Sequence, residues 1–301
     1  MRVTKILTTD NISVMKKIFL FIAILFPFFL KAQPFIDIVN LNFQEIKTTY
    51  EDSLHSKNRT QNSNMTFCIP KVFDNGNTFL FRLGAEQLTS SIDSSHYSLY
   101  SFSMPVGFQF VSKSKKWKML VMGIPRISSD LQDDLSKDIL YGGTTLFTYV
   151  KNDSLKFKFG LYYNRECFGN FFVPLIGIDW KATKHINVYG ILPNNIRIEY
   201  SFGDGFYAGV GYKNYQRSYR LFKGFDNDFV RVRESQVKVF GEFFVWKKVL
   251  FFAELGYTLN YSFIQYDELN VKEEHLDHPV YTPIKNNFTL TAGLAYRMRL
   301  D

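Results

Sequence analysis

The 301-residue chain is short of the long apolar runs that build a helical membrane protein. Its one such run, Ile18–Leu30, has about 13 residues against the roughly 20 that a spanning helix needs. A mean hydropathy of -0.12 with 46% hydrophobic residues excludes a bundle of such helices. Cysteine is scarce: Cys68 and Cys167 are the two. A bridge between them is permitted outside the cytoplasm, and neither spacing nor neighbours suggest a metal site. A Gly-rich phosphate loop, a nucleophile motif and a metal-ligand pattern are all missing, so no catalytic residue and no cofactor is expected. A compact basic cluster is missing too. The pI of 9.2 reflects a net charge of +8. Residues 1–32 hold five bases (Arg2, Lys5, Lys16, Lys17, Lys31) and one acid (Asp10), so without them the charge falls to +4. Nucleic acid is therefore not the expected partner.

What the chain has in excess is aromatics, 18%, with 32 Phe and 18 Tyr. Strand-rich membrane proteins use aromatics both as β-formers and as interfacial girdles. The clearest pattern lies in the last fifty residues. Over Val249–Phe263 the odd positions are apolar or aromatic, and Glu254, Gly256, Thr258, Asn260 and Ser262 fall between them. Over Phe288–Leu300 the apolar positions are even. Such alternation has period two and predicts strands with one apolar and one polar face. These strands are more than twice the roughly 5–6 residues usual in soluble sheets. The expected fold is all-β: a transmembrane, antiparallel, up-and-down β-barrel with lipid outside and a wet lumen.

Residues 1–32 read as a signal peptide. Lys16 and Lys17 form a basic region, Ile18–Leu30 an apolar core, and Leu30-Lys31-Ala32 a cleavage site that leaves Gln33 first. Met15 is the expected true start. Residues 33–301 then form a single barrel domain in the outer membrane of a Gram-negative cell.

Further alternating stretches lie at 35–46, 64–72, 79–86, 100–110, 117–121, 141–150, 155–163, 172–180, 206–212 and 229–246. In the last of these the phase slips near Glu234, which predicts a bulge or a loop end. Tight connections near Asn75, Lys115, Asp153 and Lys247 alternate with long ones at 47–64, 128–138, 217–228 and 265–285, as short periplasmic turns and long outer loops should. The arms Ile186–Ile191 and Ile196–Phe202 flank a turn at Leu192-Pro193-Asn194-Asn195. Each is shorter than the ~9–11 residues of a spanning strand. The count is therefore about twelve strands, with these arms as a small hairpin inside or below the barrel, or fourteen if both cross.

The final strand, Thr291-Ala292-Gly293-Leu294-Ala295-Tyr296-Arg297-Met298, resembles the C-terminal signal by which barrels are recognised by the outer-membrane assembly machinery, with Gly293, Tyr296 and Met298 as its marks. The chain continues to Leu300 and Asp301 where that signal usually stops at Phe. Pro174-Leu175-Ile176-Gly177-Ile178-Asp179-Trp180, Gly190-Ile191-Leu192-Pro193, Ile198-Glu199-Tyr200 and Glu254-Leu255-Gly256-Tyr257 resemble an uncharacterised Bacteroidota outer-membrane β-barrel family. The resemblance covers roughly 170–301 and implies the barrel and its location, but no activity.

The alternation turns Arg82, Glu86, Lys156, Lys158, Asp179, Arg197, Glu199, Lys238, Glu242, Glu254, Arg297 and Arg299 inward. Charges of both signs on neighbouring strands can line a selective path for a small solute, or pair into a plug, because unpaired buried charge is costly. Their mixed signs argue against a simple anion or cation pore. Five apolar-Pro pairs (Ile69-Pro70, Met104-Pro105, Ile124-Pro125, Val173-Pro174, Leu192-Pro193) mark strand ends, bends or an opening. The acidic loop Asp267–His278 lacks fixed ligand spacing and reads as solvated. Ser95 beside His96 is no dyad, because adjacent strand residues point to opposite faces. The expected function is a non-enzymatic barrel: a narrow channel or transporter for a small solute, or a plugged structural or interaction barrel acting through its outer loops. Outer-membrane lipid and the assembly machinery are its expected partners, and an outer-membrane hydrolase is a minor alternative.

Overall fold

The computed structural model describes residues 35–49, 57–92, 95–132, 138–203, 205–222, 228–266 and 287–299. The expected signal peptide, the acidic loop Asp267–His278 and the end of the chain lie outside them. The strands are β1 (Phe35–Thr49), β2 (Lys57–Val72), β3 (Thr78–Ile92), β4 (Ser95–Ser103), β5 (Val106–Val111), β6 (Trp117–Ser129), β7 (Ile139–Asn152) and β8 (Leu155–Glu166). They continue as β9 (Gly169–Lys181), β10 (Ile186–Leu192), β11 (Asn195–Ser201), β12 (Phe206–Arg220), β13 (Phe229–Trp246), β14 (Val249–Tyr266) and β15 (Phe288–Arg299). Each pairs antiparallel with its chain neighbour, and β15 returns to β1, so the sheet closes on itself. Closure leaves no strand edge to satisfy in lipid.

β4 and β5 are two pieces of one stave, both lying between β3 and β6. The break is at Met104-Pro105, where the Pro105 carbonyl accepts from Arg82 N–H and the Met104 N–H donates to the Pro125 carbonyl. The barrel therefore has fourteen staves among the described residues. Fourteen, the alternative count, holds because β10 and β11 stand in the wall instead of forming a hairpin inside or below it. β10 pairs with β9 and β11 with β12.

The outer face is apolar because nothing but lipid meets it. Leu255, Phe251, Leu294, Phe159, Leu161 and Val239 are all exposed there, an arrangement water would penalise at ~25 cal/mol per Å². The three tryptophans, Trp117, Trp180 and Trp246, are exposed beside short turns at one end of the barrel. That end carries the girdle expected of an interface. Short turns belong to the periplasmic side, so the opposite end is called the loop end below.

At the loop end, β12, β13 and β14 leave the wall. Where the wall is regular, β12 turns Phe206, Ala208, Val210 and Tyr212 outward. Above Asn214 the same face carries Gln216, Ser218 and Arg220. β13 changes in the same way: Val237, Val239 and Phe243 face out below, Arg231 and Arg233 above. The ladder between β13 and β14 slips between Ser235 and Gln236, where the phase change at Glu234 predicted a bulge. The pairing passes there from Asn260 to Thr258 of β14, which makes Leu259 the extra residue. One extra residue reverses which face follows. Tyr261 and Phe263 therefore turn inward and are buried, a correction to the lipid-facing row expected through Phe263.

Both faces of this inturned sheet are packed. On one, Tyr219, Val230, Val232, Tyr261 and Phe263 form a core with Ile46, Leu88 and Leu99 of the facing wall. On the other, Phe229, Ile264 and Tyr266 pack with Leu140 and Cys167. Residues 57–64 and 217–220, read above as loop, belong to strands. Cys68 and Cys167 are both free thiols.

Candidate functional site

The interior is the candidate site, and it has three storeys. The lowest, nearest the short turns, is charged. Arg297 donates to both oxygens of Asp37, at 2.5 Å and 3.0 Å, and also to Glu242. The other oxygen of Glu242 accepts from Arg197 at 2.8 Å. Arg197 lies 3.9 Å from Glu254, which takes Lys238 at 2.5 Å. The chain Asp37–Arg297–Glu242–Arg197–Glu254–Lys238 thus links strands β1, β15, β13, β11 and β14 along one side of the lumen. Two arginines also lie on aromatic faces, Arg197 at 3.7 Å from the Phe240 ring and Arg297 at 3.5 Å from that of Phe35. Cations over ring faces gain from the quadrupole, the more so when desolvated. Beside this chain Glu199, fully buried, accepts from Tyr189 and Asn187. On the other side of the lumen Lys158 donates to Asp179 at 2.8 Å, with Lys156 buried nearby.

The top storey is the inturned sheet. Glu86 of β3 accepts from Tyr219 at 3.0 Å, Tyr215 at 3.3 Å and Asn62 at 3.1 Å, and pairs with Arg217. Gln44 of β1 donates to Glu234, and Tyr97 of β4 to Gln265 at 2.8 Å. On the far face Glu166 of β8 takes Arg126 at 2.7 Å and the Ser218 hydroxyl at 2.6 Å. A buried pair costs desolvation and is held only where further hydrogen bonds satisfy it, as here. Between these storeys the β6–β9 side of the lumen has no charged side chain, while Lys213 of β12 and Arg82 of β3 stand on other parts of the wall.

Most of the inward charges expected from the sequence are therefore brought together, and what unites them is pairing. Arg82 stands exposed on the same face as Glu86. Arg299 lies opposite Phe35 in the β1–β15 ladder, and its side chain falls outside the described residues. Asp37, Arg126, Glu166 and Arg217 are members that periodicity missed. Arg217 stood in a supposed loop, while Glu166 sits at a strand end; Asp37 precedes a bulge, where alternation gives no facing.

One rim contact differs from expectation. His96 meets Ser91, its cross-strand partner, with Nδ1 2.9 Å from the hydroxyl. The pair is exposed, on the face opposite buried Ser90 and Leu99. Among the described residues no carboxylate orients this histidine, and none group as a metal site.

A family model described as a domain of unknown function, DUF6268, matches residues 98–297. The chain belongs to the DUF6268 family. In this DUF6268 protein the match runs from β4 to Arg297, taking in the inturned sheet, whereas Asp37 and Glu86 lie before it. A search of curated proteins finds no match. Among solved structures the chain is similar to an outer-membrane channel of Pseudomonas putida F1, at 10% identity and a TM-score of 0.48, over 86% of this chain and 94% of that one. It is also similar to the translocator domain of the autotransporter NalP of Neisseria meningitidis, at 13% identity and 0.40, over 86% and 88%. The toluene transporter TodX of P. putida matches at 10% and 0.39, over 88% and 91%.

Proposed function

We propose that this barrel is a narrow, selective transporter for a small solute in the outer membrane of a Gram-negative cell, and not an open pore or an enzyme. The observation that carries this reading is the filling of the lumen at both ends. The inturned β12–β14 sheet packs against β1–β4 at the top, and at the bottom the Asp37-to-Lys238 ion-pair chain fills the β11–β1 side, where Phe35 of β1 meets the Tyr189 ring of β10 at 5.6 Å. A water-filled axial pore would leave these faces solvated and these charges apart.

Residues 1–32 act in this reading as the cleaved signal peptide of a Bacteroidota protein, with Met15 as start. Gly293, Tyr296 and Met298 serve recognition by the assembly machinery. The rim contact Ser91–His96 faces away from the lumen, which supports a non-catalytic role.

The test is planar-bilayer conductance of the chain refolded from Gln33, with a heat-modifiable gel shift as proof of folding. Small, gated currents are expected. A large steady conductance would show an open pore and sink the proposal. The same filling also favours a second reading, a plugged barrel working through its outer loops. A folded barrel that neither conducts nor passes any solute in liposomes would select it.

A further inference from the structure

Among the described residues, no strand stands in the wall above the β10–β11 hairpin. β9 pairs with β10 from Ile176 to Lys181, and β12 with β11 from Tyr207 to Lys213. Beyond those points, among the described residues, β9 pairs with β8 alone, and β12 with β13 and, at Arg220, with Ser129 of β6. The hairpin turns too early to fill the space, at Pro193-Asn194, and it turns tightly. A Cβ on Gly190, at φ +154, would lie 2.4 Å from the Asn195 carbonyl oxygen, a closeness only glycine allows.

The edges of this gap meet at the loop end, where Ser218 bonds Glu166 and Cys167 of the β8–β9 turn, and below that contact they do not pair. Lys181 N–H bonds the Ser154 carbonyl on the β8 side. Amide directions alternate along a strand, so the even residues of β9 point away from β8, into the gap. The first even residue of that edge beyond the hairpin is Pro174, which has no N–H to donate and blunts the edge there. Across the gap, Asn214 N–H reaches the Asn194 carbonyl, so the even amides of β12 face the same space. Ser218 N–H is taken by the Glu166 carboxylate at 3.1 Å, and the Arg220 carbonyl by Asp130 N–H at 3.1 Å. The edge of β12 is thereby satisfied without a strand paired along it.

The gap faces lipid. Phe172 is 60% and Ile176 69% exposed on the outer face of β9, and Leu161 is exposed beside them. Behind it lies the β6–β9 side of the middle storey. On the inner face one rung of the ladder sets Leu120, Leu146 and Leu175 beside Gly160, and the next sets Met122, Tyr162 and Val173 beside Thr144. The six Leu, Met, Tyr and Val side chains are only partly buried, although they point into the lumen. The Lys158–Asp179 pair bounds this surface below and the Arg126–Glu166 pair above. Apolar side chains left accessible inside a barrel, at the height of an opening toward hydrocarbon, have no use in lipid contact or in the ion-pair chain.

We propose that the gap between the outer halves of β9 and β12 is a side portal, and that the apolar rungs behind it carry a small uncharged apolar solute between lumen and outer leaflet. This names the solute class for the transporter reading and rests on it. Charged solutes are disfavoured because the rungs offer them no partner.

The experiment follows entry of the fluorophore N-phenyl-1-naphthylamine into liposomes holding the refolded mature chain, with arabinose as the polar comparison. Faster entry of the fluorophore than in protein-free liposomes is expected. Leu175→Gln and Met122→Gln, made separately so that one misfolding variant does not decide the matter, should each slow it about tenfold. In a C68A/C167A background, Phe172→Cys and Gln216→Cys joined by a flexible bis-maleimide should abolish entry. Reduction of a cleavable version should restore it. Stapled protein that passes the fluorophore unhindered would overturn the portal. So would a barrel that passes arabinose and not the fluorophore, while leaving the transporter reading standing. A barrel that passes neither would remove the transporter reading itself. A co-purifying lipid that the fluorophore fails to displace would show the rungs to be a lipid seat and overturn the proposal.

Discussion

Tyr219 of β12 donates its hydroxyl to Glu86 of β3 at 3.0 Å, although five staves separate the two strands by the shorter way around the wall. The contact spans the lumen, and with Arg217 it ties the inturned sheet to the opposite side. Tyr219→Phe removes one donor from a buried carboxylate and should cost about 1.5–3 kcal/mol. Glu86→Ala should cost more, about 3–5 kcal/mol, because it strands Arg217. Urea titrations in lipid vesicles, followed by tryptophan fluorescence, measure both. A neutral Tyr219→Phe would mean that the sheet is held by its apolar core alone.

Glu242 serves two guanidiniums, those of Arg197 and Arg297. Glu242→Gln leaves one guanidinium a neutral acceptor and turns an amide NH2 on the other, and the lower lumen gains positive charge. Reversal potentials in a salt gradient should then shift toward anion selectivity. Unchanged selectivity would place Glu242 off the conducting path.

Leu255 is half exposed on the lipid face of β14. Leu255→Arg should destabilise the folded barrel by about 2–4 kcal/mol if the residue lies near the bilayer midplane, and Leu255→Ala by less. Equal effects of the two in the same urea assay would move Leu255 out of the hydrocarbon.

Cys167 is buried beneath Phe229 and Ile264, while Cys68 is partly accessible. A maleimide should label the folded protein at no more than one site, and a second only after unfolding. Non-reducing and reducing gels should show the same mobility. Early labelling of Cys167 would contradict the packing of the inturned sheet over the β8–β9 turn.

The fold class was legible because lipid and lumen write period two into nearly every strand. The strand count was less so: β10 and β11 fail a spanning length because the wall is low where they stand. Nor could the inturned sheet be read from Tyr261 or Val232, since an apolar side chain looks the same in sequence whether it faces lipid or a core. The polar face at Gln216, Ser218 and Arg220 resembled a loop for the same reason. Charges facing inward were legible residue by residue, but their partners were not. Arg297 finds Asp37 only because the first strand closes on the last.

That closure has a consequence for the order of events. β1 and β15 are the described strands farthest apart in the chain, and their ladder is the seam of the ring. Pairings between chain neighbours can zip locally and quickly, whereas this one joins residues some 260 positions apart and must come late. Until then β1 offers a bare edge, primed for whatever strand arrives first. Until the seam forms the protein is thus a curled ribbon, and Arg297 is the latch that meets Asp37 when the ribbon becomes a ring.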